Sequence, residues 1–196
     1  MATNNNTILI NGTAYWAHVQ KPEEYNDSPI GYSIVVDLED DEKLEKLQVH
    51  LANVFNEEAK EQGWKLDPKT TLNLPIKENT TANGETRECV KAKTKHEFTN
   101  KNTGEIVKRS VPIFDEYGEP APKGTLIGNG SKVQINCTPH CYMINRKNFG
   151  VTLRLNAVCV FELVEYSAGE RNANSYGFSI KEKSESDQLN DGELEF

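Results

Sequence analysis

The chain has 196 residues, 36% of them hydrophobic and 27% charged, with a formal net charge of −8. That length suits one packed domain of roughly 150 residues plus an extension, and no apolar run nears the roughly 18 residues of a membrane span. The start MATNNNTILI has neither the basic nor the long apolar region of a secretory signal, so a cytoplasm with reduced thiols is the expected setting.

Along the chain, ILINGTAYWAHVQKP alternates as a strand, with Tyr15 and Trp16 on opposite faces. EEYNDSPIG is full of turn formers and reads as a loop. YSIVVDL is a second strand, its Tyr32, Ile34, Val36 and Leu38 sharing an apolar face. DDEKLEKLQVHLANVFNEEAKEQG is the convincing helix, capped by Asp40 or Asp41 and stopped by Gly63. Leu44, Leu47, Leu51, Val54 and Phe55 make its buried stripe, and its acidic outer face should lie away from any polyanion.

After a loop with Trp64, Pro68 and Pro75, strands resume. ECVKAKTKHEF sets Val90, Ala92, Thr94 and His96 on one face and Lys91, Lys93 and Lys95 on the other. FTNKNTGEIV signals a hairpin, VKRSVPIF a returning strand, EYGEPAPKG a loop, and LIGNGSKVQINCTP a further strand after a glycine turn. YMINRKNFG reads as a loop into VTLRLNAVCVFELVEY, which should bury Val151, Leu153, Leu155, Ala157, Cys159 and Phe161 at period two. Regular structure should end near Tyr166, giving a domain over 1–166 and a flexible linker with a disordered acidic tail over 167–196. Many short strands and one helix predict a mainly β fold, a five-stranded OB-fold-like barrel with one inserted helix. An immunoglobulin-like sandwich is the alternative, and the helix weighs against it.

The net charge conceals segregation. Between Pro120 and Phe161 there is no acid, while Lys123, Lys132, Arg146, Lys147 and Arg154 make the stretch +5. Residues 86–110 carry seven bases against three acids, whereas 39–63 carry eight acids against three bases. A polyanion responds to that local charge rather than to the sum. Lys91, Lys93 and Lys95 on one face either protect a solvated edge strand or meet a phosphate backbone. Single strands are held by basic grooves with aromatic platforms, and Tyr142, Arg146, Lys147, Phe149 and Arg154 mix the same chemistry.

Signatures of enzymes are missing: no GxxxxGK[ST], GxSxG or HExxH occurs, and His18, His50, His96 and His140 lack partner motifs. CTPHC (Cys137, His140, Cys141) is the nearest approach to metal-ligand spacing, but no second pair follows, so neither metal nor cofactor is expected. The chain ends KSESDQLNDGELEF, with Glu185, Asp187, Asp191, Glu193 and Glu195 before a terminal Phe196. Such a segment is too polar to fold alone.

GTAYWAHVQKPEEYN, GYSIVVDL, a helix, VPIF, LIGNGSKVQINCTP and GVTLRLNAVCVFELVEY come in that order, before an acidic tail closing on an aromatic. That succession resembles the bacteriophage single-stranded-DNA-binding proteins of phage replication. The resemblance implies an OB-fold that binds single strands without sequence preference, in the cytoplasm of an infected host cell. It also implies a homodimer, and a tail that competes with DNA and contacts replication proteins such as a DNA polymerase or helicase-primase. It supports Lys91, Lys93 and Lys95, the aromatic Tyr142 after Pro139, and Phe196. The rival reading is an acidic DNA-mimic or inhibitor, which the acid-free stretch disfavours.

Overall fold

In the computed structural model, residues 7–81 and 84–165 are described. Strand β1 (Ile8–Tyr25) turns directly into β2 (Ser28–Asp37). Asn26 and Asp27 make the turn with φ of 49° and 60°, the paired positive values that match strand twist and that Asn and Asp enter most readily after Gly. Most of the expected loop EEYNDSPIG is therefore hairpin. β1 is bulged: its register with β2 shifts between Tyr15 and His18, and Trp16 sits at φ 50°. A bulge bends a strand and lets it turn a barrel corner.

Helix α1 (Asp41–Glu61) starts at Asp40, whose carboxylate accepts from the backbone N–H groups of Glu42 and Lys43. It ends where the Gly63 N–H bonds Lys60 O and the Trp64 N–H bonds Ala59 O, with Gly63 at φ 64°. These two bonds satisfy carbonyls the last turn leaves open. Leu44, Leu51, Phe55 and Ala59 are buried, with Leu47 packed at the margin. Phe55 stacks on Phe149 at 5.5 Å and tilts against Trp64 at 5.7 Å.

The remaining strands are β3 (Ile76–Thr80), β4 (Thr86–Lys95), β5 (Glu97–Thr99), β6 (Ile106–Lys108), β7 (Ile113–Phe114), β8 (Lys132–Asn145) and β9 (Asn148–Glu162). Hydrogen bonding runs β4–β2–β1–β8–β9, and a parallel pairing of Ala92 with Leu153 and Lys93 with Arg154 closes β9 onto β4. The result is a closed five-stranded barrel with one helix, which excludes the sandwich. β3 and β7 extend it, and β5–β6 is a separate hairpin. Inside lie Ile34, Val36, Val90, Val133, Ile135, Leu153 and Val158, with Leu51 and Phe55 of the helix in the same core.

Two further expectations are corrected. YMINRKNFG is not a loop: β8 continues to Asn145, turns at Arg146 and Lys147, and pairs back along β9. The period-two burial of β9 holds for Val151, Leu153 and Leu155 but then moves to Val158 and Val160. The cause is a bulge against β8, where Asn136 pairs with Ala157 and Cys137 with Leu155. A one-residue slip exchanges the faces of a strand, so Phe161 lies 43% exposed.

Candidate nucleic-acid interface

The lysine row of β4 lies on the outside of the barrel. Val90, Ala92 and Thr94 face the interior, Lys91 is half-buried, and Lys93 and Lys95 are exposed. β4 is no edge strand, because β2 flanks one side and β3 and then β9 the other. Edge protection therefore does not explain the lysines. Gly31 of β2 allows the close pairing, since a Cβ there would meet Thr94 O at 2.5 Å.

A cleft of about 490 Å³ opens across β2, β4, β8 and β9. Lys91, Lys93, Lys95, Arg109 and Arg154 line it, against a single acid, Glu23. None of these five cations makes a salt bridge among the described residues. The Glu23 carboxylate accepts from the Ser33 hydroxyl. Parallel pairing sets Arg154 beside Lys93 although 61 positions separate them. Arg154 is aimed by polar neighbours: its Nε donates to Asn156 Oδ1 at 3.4 Å and its NH2 to Thr138 Oγ1 at 3.5 Å. His140 and Thr152 complete the far wall. No lining residue comes from the acidic helix, in keeping with its expected distance from a polyanion. This arrangement can hold an extended polyanion, since like charges so placed repel until an anion lies across them.

The other expected site residues are distributed differently. Tyr142 is a half-buried strand residue opposite Gly150, on the same outward alternation as His140 but beyond the cleft lining. Arg146 and Lys147 are exposed at the β8–β9 turn, also outside the lining. Phe149 is 4% exposed and stacked on Phe55, so it belongs to the core and offers no face to a base. Lys132 of the basic stretch is engaged elsewhere, donating to Glu39 at 2.6 Å and to Thr13 at 2.8 Å. Those contacts hold the Glu39 carboxyl below its usual range. The tail residues Glu185, Asp187, Asp191, Glu193, Glu195 and Phe196, and the boundary after 166, lie outside the described residues.

CTPHC does not converge. Cys137 is buried in the core and Cys141 packs against it, while His140 faces the cleft. Burial pushes the Cys137 thiol up to about 12 and the Cys89 thiol up to about 11, so both stay protonated at neutral pH, and the thiolate is the form that binds metals.

Arg109 and Thr152 carry no sequence signal of their own, and His140, whose sequence context suggests a metal ligand, instead lines the cleft. Arg109 lies in the basic stretch 86–110, where local pattern makes it one residue of a returning strand. In the structure that strand is interrupted, ending at Lys108 and resuming at Ile113.

A five-stranded barrel closed by parallel pairing of its third and fifth strands is an OB-like fold, and here its second to fifth strands all border the basic cleft. Solved structures agree on the fold. Gp2.5, a single-stranded DNA binding protein encoded by bacteriophage T7, superposes with a TM-score of 0.62 at 20% identity, over 91% of this chain and 96% of that one. The single-stranded DNA-binding protein of bacteriophage Enc34 gives 0.56 at 14% identity, over 89% and 92%. The same protein in complex with ssDNA gives 0.56 at 16% identity, over 83% and 89%. The fold of this chain is thus that of phage single-stranded-DNA-binding proteins. No known family profile and no curated protein matches the sequence.

Proposed function

We propose that the chain binds single-stranded DNA without sequence preference, protecting it during phage replication and recombination and assisting annealing. The carrying observation is the cleft across β2, β4, β8 and β9, where five cations outside any salt bridge among the described residues face one acid. Backbone charge is common to all sequences, so a site built from Lys and Arg binds without reading bases. The fold shared with the T7 and Enc34 proteins supports the reading. A binding role without catalysis fits the missing enzyme motifs.

The same reading assigns the acidic tail ending in Phe196 to basic surfaces of replication proteins such as a polymerase or helicase-primase. It assigns the protein to the host cytoplasm and to a homodimer. Filter binding of oligo(dT) at two salt concentrations tests the core of it. Binding that weakens steeply with salt is expected, and no binding at low salt would sink the reading in favour of an acidic mimic.

A further inference from the structure

A second cleft, about 350 Å³, continues from the lysine cleft and shares Thr94, Arg109 and Arg154 with it. One wall is Phe98 of β5 with Arg109 and Ser110 just beyond β6; the other is Leu155 and Asn156 of β9. Phe98 is 36% exposed and takes no part in the hydrophobic core. Its ring carries the Arg109 guanidinium, with Cζ 4.1 Å from the centroid. Arg109 is fixed from two further directions. Its backbone N–H donates to His96 O at 2.6 Å, and its NH1 donates to Thr94 Oγ1 at 3.4 Å. A guanidinium held against a ring presents a flat, weakly hydrated cationic plane, suited to stacking.

The opposite wall is polar in a defined sense. The Asn156 Nδ2 donates to Asn136 Oδ1 and Thr138 Oγ1, both at 2.8 Å, so both its hydrogens are committed. Its Oδ1 accepts from Arg154 Nε at 3.4 Å, leaving one lone pair. The side chain can therefore receive one more N–H and can donate none. Every nucleobase carries an N–H or amino group on its Watson–Crick edge, so an acceptor here engages bases without selecting among them.

Resting on the single-strand reading above, we propose that this second cleft is a nucleobase pocket. One base of a strand held by the lysines turns into it, stacks on the Phe98–Arg109 pair and gives an N–H to Asn156 Oδ1. The lysine cleft takes the phosphates, and Arg109, bordering both clefts, joins the two.

The test compares oligo(dT) with an abasic strand of equal length and charge, using the full chain and its Phe98→Ala and Phe98→Tyr variants. Phe98→Ala should lose about 5- to 150-fold in affinity for oligo(dT), the range of one stacked base. It should lose less than twofold for the abasic strand, with the salt slope unchanged on both, and Phe98→Tyr should restore oligo(dT) binding. Equal losses on the two strands, or no loss on oligo(dT) while the parent binds it, would overturn the pocket and leave the basic cleft standing. A parent protein that binds neither strand overturns the single-strand reading itself.

Discussion

Changing Lys91, Lys93 and Lys95 together to alanine separates a phosphate-binding face from a merely solvated one. The three supply most of the positive charge of a cleft whose other cations are Arg109 and Arg154. With one phosphate met by each of the five, the log–log salt slope for a single strand is about −3.5, and the triple variant should fall to about −1.4. Stability should move the other way. Alternate residues of a strand stand roughly 7 Å apart, where two like charges in water repel by roughly 0.6 kcal/mol. β4 holds two such neighbouring pairs, so their removal relieves strain in the unliganded protein. The expected result is weak binding with a much shallower salt dependence by a protein whose Tm equals or exceeds that of the parent. Fluorescence anisotropy with labelled oligo(dT) across a salt series, beside a thermal melt, reads both quantities. A slope unchanged within error would refute the assignment, because the lysines would then release no counterions.

The two aromatics near the β8–β9 turn should part ways. Phe149→Ala opens the core against Phe55 and should lower stability by about 3–5 kcal/mol in denaturant unfolding, whereas Tyr142→Ala should leave stability nearly intact. Alkaline pH acts through the buried thiols. Their folded values are raised to about 11 for Cys89 and about 12 for Cys137, so the unfolded chain loses these protons first. Stability should hold below about pH 9, then fall by up to about 1.4 kcal/mol per pH unit for each thiol until its folded value is reached; Cys137→Ala should flatten the decline in urea midpoints above pH 11. Deleting Ser184–Phe196 takes five carboxylates from a chain of net −8, leaving −3. Single-strand binding should tighten most at low salt, and pull-down of a replication partner should be lost; unchanged binding together with retained partner contact would reduce the tail to a solubility segment.

Local chemistry made much of this protein legible. The Asp40 cap, the Gly63 stop and the Leu44–Phe55 stripe follow from helix geometry, and the Lys91–Lys95 row follows from strand period. Even the place of Phe149 was readable, since it shares the parity of Val151 and Leu153, which alternation already sends inward. The turn formers of YMINRKNFG, the segment that contains it, mask that parity. What alternation cannot reveal is a change of phase. The bulges at Trp16 of β1 and at Asn156 of β9 each insert one residue, which reverses the faces downstream without any mark in composition. The site itself depended on tertiary structure for a related reason. Barrel closure brings Arg154 beside Lys93, and the β5–β6 hairpin returns Arg109 to the same cleft. Pairing between strands distant in sequence is decided by which closed arrangement buries the shared apolar faces and satisfies every backbone hydrogen bond at once. That condition belongs to the whole barrel, and no segment of the chain carries it alone.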